Sequence, residues 1–201
     1  MVENSKILDP TTLEILSAAA SLFDRYGTRK TTMDDIAKEV GKGKSSLYYY
    51  FKNKEAVFES VLRRELAQFQ SDIIRDLEAE VTQTDKIRVL ISSIFEQAIH
   101  YPNLLRSFKG LIEGKSGRTA NTVKEGAIAW ELQQLNLLLE AGVSNGEFRA
   151  MGAEEVAINS QAISVAITGM KMILLGAPQE EIAISIRNLL NLLFNGIGKS
   201  K

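Results

Sequence analysis

Between Thr32 and Phe51 lie two apolar-periodic segments, each too short to stand alone, separated only by Gly41-Lys42-Gly43. An isolated helix shorter than about 12–15 residues is marginal in water, so these two must fold against each other and against a third element. Ile36, Ala37 and Val40 give the first an inner face, and Leu47 and Phe51, four apart, give one to the second. The glycines between them allow a turn that residues with side chains resist. The segment before supplies the third element. Asp9 is placed as N-cap with Pro10 at the first helical position. Leu13, Leu16, Ala20 and Phe23 then recur at three and four, with Ala19 and Leu22 beside them, and Gly27 closes the segment. Thr32 opens the next helix, with Asp35 three residues on where a capping box usually has Glu or Gln.

The rest of the chain keeps the same period. Pro10, Pro102 and Pro178 each precede an apolar-periodic segment and interrupt none. Asn53 caps a long helix from Lys54 to about Glu80. Further helices are expected from Thr84 or Asp85 to His100, from Pro102 to near Gly114, and from about Thr122 to Ala141. The last two are expected at Ala153–Leu175 and Pro178–Phe194, with a mobile connection at 114–121 and a loop at 142–152. No run of alternating strands occurs, so the expected class is all-α with about nine helices. The expected division is a three-helix unit at 9–56, its paired short helices at about 32–51, joined by the long helix to a helical body at 57–201.

Composition removes several chemistries. The chain has no cysteine and one histidine, His100, so thiolate metal sites, cysteine nucleophiles and paired-histidine metal sites are excluded. No catalytic group, metal or cofactor is therefore assigned. Residues 1–9 are polar, and the longest apolar stretch, 162–175, is short and carries Lys171. Neither a leader nor a membrane span is expected, and the expected compartment is the cytoplasm. The net charge is −1, yet residues 25–54 hold eight Lys/Arg against three Asp/Glu. A basic segment on an acidic body is the asymmetry of a protein that meets phosphates at one end.

Two short helices joined by a glycine turn form a helix-turn-helix, and a B-DNA major groove about 12 Å wide admits one helix. With Leu47 and Phe51 inward, Ser45 and Tyr49 face away, with Ser46, Tyr48 and Tyr50 on the flanks. Tyr48-Tyr49-Tyr50 spans about 200° of helix, so the three rings do not all fit inside. The small serines permit close approach, Lys44 reaches base acceptors or phosphate, and tyrosines offer hydroxyls and ring faces.

Over Ile15 to Val61 the chain resembles the N-terminal domain of the tetracycline-repressor (TetR) family. The matching residues are Ile15-Leu16, Ala19-Ala20, Leu22-Phe23, Gly27, Thr31-Thr32, Ile36-Ala37, Gly41, Ser46-Leu47-Tyr48, Tyr50-Phe51 and Lys54-Glu55. The resemblance implies a repressor, homodimeric on a palindromic operator in double-stranded DNA, released by a small-molecule inducer that binds the C-terminal helices. It also implies that Thr32 and Lys54 contact phosphate and that Lys44, Ser45, Ser46, Tyr48, Tyr49 and Tyr50 belong to the recognition helix. Ser45 departs from the glycine that many members have, which bears on the operator sequence read.

In the body, Ile163–Leu175 and Ile182–Phe194 are apolar nearly all round and must be covered on several sides. Burial inside the monomer alone accounts for that, as does pairing of two subunits through a four-helix interface, the preferred reading, with Gly169 as a point of close approach. Phe95, Phe108 and Trp130 are ordinary core aromatics or, as the pocket candidates, the walls of an inducer site, with Gln97, Gln133, Asn159 and Gln161 as polar groups around an apolar or amphipathic ligand. The competing reading is a helical interaction protein that keeps the fold without binding an operator. An enzyme is disfavoured because the sequence has no histidine cluster, cysteine or carboxylate–histidine helix motif.

Overall fold

The computed structural model describes residues 9–96, 100–112, 118–174 and 177–197. Within them the chain forms nine helices and no strand, the all-α architecture expected: α1 (Pro10–Lys30), α2 (Met33–Glu39), α3 (Lys44–Tyr50), α4 (Lys54–Glu78), α5 (Gln83–Glu96), α6 (Pro102–Ile112), α7 (Arg118–Ser144), α8 (Ala153–Leu174) and α9 (Gln179–Ile197).

The head is built from α1 to α3 and the start of α4. Asp9 caps α1 by accepting from the Thr12 N–H at 3.2 Å. Helical dihedrals stop at Gly27, whose φ of 78° lies in the left-handed region, and one further turn carries the chain to Lys30. Ile15, Leu16, Ala19, Leu22 and Phe23 are buried while Leu13 is exposed, so the inner stripe starts two residues later than its spacing suggested. α2 ends in a reversal at Gly41, φ 65°, where the Lys42 N–H donates to the Ala37 carbonyl and the Gly41 N–H to that of Lys38. Leu47 and Phe51 enter the same core as Ile36, Val57 and Val61.

About two turns into α4 the core changes. Val57 and Val61 belong to the head, whereas Leu62, Phe69, Ile73 and Leu77 belong to a larger core with α5 to α9. Phe58 touches both cores and meets Phe23 edge-on at 5.3 Å. α7 lies along α8, and α9 closes the body against α5 and α8.

In the body, α9 runs on to Ile197 where Phe194 was the expected end, and boundaries of α5 and α7 also differ from expectation. α5 starts at Gln83, not Thr84 or Asp85, because Thr82 caps it and the Glu147 carboxylate accepts from the N–H groups of Gln83 (2.8 Å) and Thr84 (2.7 Å). α7 starts at Arg118 rather than near Thr122, with Ala120 and Val123 buried in the body. Of the connection expected at 114–121, residues 118–121 are therefore helix, and 113–117 lie outside the described residues. α7 also runs on to Ser144. Gly142 faces Phe148 so closely that a Cβ there would lie 2.2 Å from its ring, so glycine inside a helix is what admits the ring.

Candidate nucleic-acid interface

Leu47, fully enclosed, and Phe51 hold α3 by one side. That leaves Lys44, Ser45, Ser46, Tyr48 and Tyr49 exposed, Tyr49 at 85% and Tyr48 at 45%. Tyr50 is half-buried against the head core and meets the Tyr49 ring edge-on at 5.2 Å. Of the three consecutive tyrosines, two point outward and one packs inward, as the 100° step per residue demands. Gly43 opens α3 without a side-chain cap.

Three candidates are already engaged within the subunit. The Lys44 ammonium lies 2.8 and 3.0 Å from the two carboxylate oxygens of Asp34 on α2, and this hydrogen-bonded pair holds the lysine above its usual pKa. Thr32 is exposed and completes its capping box. Its hydroxyl donates to Asp35 at 2.7 Å and accepts from the Asp35 N–H at 3.2 Å, while its own N–H donates to the same carboxylate at 2.8 Å. These bonds hold Asp35 below the ordinary carboxylate range. Lys54 is half-buried and donates to the Thr31 carbonyl at 2.9 Å, tying the start of α4 to the start of α2. The Asp35 box was legible from its spacing, whereas nothing in the local sequence announced Asp34 or the Thr31 carbonyl.

The head is also joined to the body away from α4. On α6, Arg106 donates to the carbonyls of Phe23 (2.7 Å) and Asp24 (3.0 Å) and to the Asp24 carboxylate (3.0 Å). A guanidinium here satisfies carbonyls left free where α1 ends, at the negative end of its dipole. The buried Asn103 amide bridges the Ala20 carbonyl (3.1 Å) and Glu65 (2.7 Å), and Glu65 accepts the Leu104 N–H at 2.8 Å. Burial holds the Glu65 carboxyl above its ordinary range, against those hydrogen bonds.

In the body, Phe95 on α5 and Trp130 on α7 are half-buried against the core, and the Phe108 side chain lies outside the described residues. The polar candidates do not gather. Gln133 and Gln161 are exposed, Asn159 donates to the Met151 sulfur at 3.3 Å, and Gln97 lies outside the described residues. The enclosed polar groups are others. The buried Glu131 accepts from Ser164 (3.1 Å) and from Lys171 (2.7 Å), and the buried Ser160 hydroxyl has no partner among the described residues.

Comparison with known proteins gives a consistent picture. Residues 15–61 match the model of bacterial regulatory proteins, tetR family. The chain is 30% identical over 143 residues to the transcriptional repressor KstR2 of Mycolicibacterium smegmatis, covering 68% of this chain and 66% of that protein. It is 29% identical over 86 residues to the fatty acid metabolism regulator protein of Bacillus subtilis, covering 43% and 44%. These matches thus span less than two thirds of either relative. The fold is similar to the crystal structure of the regulator FadR from Bacillus subtilis in complex with stearoyl-CoA, with a TM-score of 0.70, 24% identity, and coverage of 92% of this chain and 98% of that one.

Proposed function

Because the chain belongs to the tetR family of bacterial regulatory proteins, we propose that it is a ligand-responsive transcriptional repressor, cytoplasmic and homodimeric, that binds a palindromic operator and leaves it when a small molecule occupies the body. In this reading residues 9–56 contact DNA and residues 57–201 bind the inducer and pair the subunits. The observation that carries it is the outward side of α3, where two serines, two tyrosines and a lysine stand in solvent around a fully enclosed Leu47. Lys44, Ser45, Ser46, Tyr48 and Tyr49 read base edges, and Tyr50 supports the Tyr49 ring from within. Lys54 contacts phosphate with the N–H donors left over from its bond to Thr31, and Thr32 does so by turning its hydroxyl from Asp35 to the phosphate.

Pairing through α8 and α9 is supported by their outer sides. Ile158, Val165 and Met172 recur every seven residues on α8 and are exposed, as are Ile184 and Leu192 on α9. Nothing lies within 4 Å of a Cβ built on Gly169, so there is room on that side for a second helix. Among the described residues α8 is also long and apolar enough to cross a membrane. Its inner side packs on α7 and holds Lys171 and Ser164 against Glu131, which suits a protein neighbour better than lipid on every side.

For the inducer, Phe95, Phe108 and Trp130 remain the proposed apolar walls, and an amphipathic ligand accords with the stearoyl-CoA bound by the similar FadR structure. Its effect reaches the head along two routes, α4 itself and the grip of Asn103 and Arg106 on α1. A shift of either changes the spacing of two heads that must enter major grooves about 34–36 Å apart.

The test is selection of bound sequences from a randomised duplex pool, followed by mobility-shift titration of the winner. One palindromic sequence is expected, bound far more tightly than scrambled DNA. Replacing Tyr49 with Ala should reduce that discrimination by about 1–3 kcal/mol if the ring makes a good base contact. Failure to enrich any sequence would overturn the reading in favour of an interaction protein with this fold.

A further inference from the structure

The helix offered to DNA carries one formal charge. Of Lys44-Ser45-Ser46-Leu47-Tyr48-Tyr49-Tyr50, only Lys44 is ionic. Its ammonium is held between both oxygens of Asp34, at 2.8 and 3.0 Å, by a carboxylate on the preceding helix. Both side chains are open to solvent, Lys44 at 59% and Asp34 at 61%. Met33, Ile36 and Ala37 anchor α2 in the core, so Asp34 is fixed on the outer side beside the start of α3. α3 therefore meets solvent as a neutral surface of hydroxyls and rings.

Neutrality has a consequence for recognition. A lysine free to neutralise phosphate adds affinity for every duplex, because the counterions it releases carry no sequence information. Hydroxyls and ring faces gain only where the base edge fits. We propose that Asp34 is a specificity-determining residue, which withholds Lys44 from the phosphates of non-operator DNA and releases or orients it only where a base acceptor in the operator replaces the carboxylate. The proposal rests on α3 being the DNA-reading helix.

The test compares wild type, Asp34→Asn, Lys44→Ala and the double variant on a selected operator and on scrambled DNA, at several salt concentrations. Asp34→Asn is expected to bind scrambled DNA about tenfold more tightly at low salt. The slope of log affinity against log salt should steepen by up to about two, one contact from each head of a dimer. The ratio of operator to scrambled affinity falls accordingly. In the Lys44→Ala background, Asp34→Asn should change neither affinity nor slope appreciably. A gain that persists without Lys44 would mean that Asp34 simply repels DNA, and would overturn the proposal. A loss confined to the operator would show that Asp34 itself contacts a base, and would overturn it too, as would an unchanged ratio and slope. Thermal melting of each variant separates these outcomes from a weakened α2, which the Thr32–Asp35 capping box still closes. If wild type itself fails to discriminate any selected sequence, the reading of α3 fails rather than the role of Asp34.

Discussion

In the head, Leu47 is wholly enclosed while its neighbours Tyr48 and Tyr49 stand in solvent. In the body, Ile163 and Ile167 are buried while Val165 between them is 65% exposed. Both helices anchor one side in a core. They differ in what is left outside: hydroxyls, a lysine and polar-tipped rings on α3, aliphatic side chains in a seven-residue row on α8. A surface of the first kind keeps hydrogen-bonding capacity for a hydrated polyanion. One of the second kind has nothing to offer water and is explained by another apolar surface. The same inward rule thus yields two outward chemistries, suited to the two proposed partners, DNA and a second copy of the chain.

The largest effect is expected from charging the aliphatic row. Val165→Asp would leave an unpaired carboxylate in a closed interface, at a cost of about 3–5 kcal/mol for each of two copies. Sedimentation should then report monomer at concentrations where the wild type forms the proposed dimer. An unchanged dimer would move the interface away from α8.

Leu47→Ala asks whether head and body are stabilised separately. Removing a fully buried leucine costs about 2–5 kcal/mol, and the head has the smaller core to absorb it. Amide exchange is expected to accelerate across α1 to α3 while α7 and α8 stay protected. Uniform loss of protection would show that the two cores, which meet at Phe58, unfold as one.

Gly142→Ala is the counterpart in the body. A Cβ placed 2.2 Å from the Phe148 ring forces that ring to move, for about 1–3 kcal/mol. The melting temperature should fall while operator binding below it is retained. A melting curve identical to wild type would mean that the loop after α7 yields without loss.

The smallest effect concerns pH at the joint between the two regions. Glu65 is half-buried there and its folded pKa is raised, chiefly by the burial of its carboxyl. A carboxyl that binds its proton more tightly folded than unfolded contributes stability that is complete below its unfolded pKa and is lost as pH rises through the folded one. Glu65→Gln, which does not ionise, should therefore gain on wild type as pH rises through that window. Asp72, two turns along α4, has the opposite sign. The Tyr101 hydroxyl is the main cause holding its carboxyl below the ordinary value, so its contribution is lost as pH falls. Asp72→Asn should thus lose ground relative to wild type as pH rises from acid towards neutral. Stability differences flat with pH in both variants would remove ionisation from the account of the joint.

Much of the head was legible because its determinants are local. Glycine at 27 and 41 supplies positive φ where the chain must turn, Thr32 and Asp35 sit at capping-box spacing, and Leu47 and Phe51 share a side of α3 by the geometry of 3.6 residues per turn. The body was legible only as helices. α8 is apolar on nearly every side, so its sequence had no polar stripe from which to tell inside from outside, and Gln133 and Gln161 were placed near a pocket when they face solvent. Glu131 is enclosed because Lys171, forty residues on, reaches it, and α5 begins where it does because Glu147 lies over its first turn. On the head, Lys44 and Lys54 were recognised by position, but their ties to Asp34 and to the Thr31 carbonyl follow from packing. Where the helices of the head start and turn could be read from the sequence, since those points depend on neighbours within about four residues. The tertiary structure alone decided which charged ends meet, because a flexible side chain finds its partner only after the backbone has brought distant segments together.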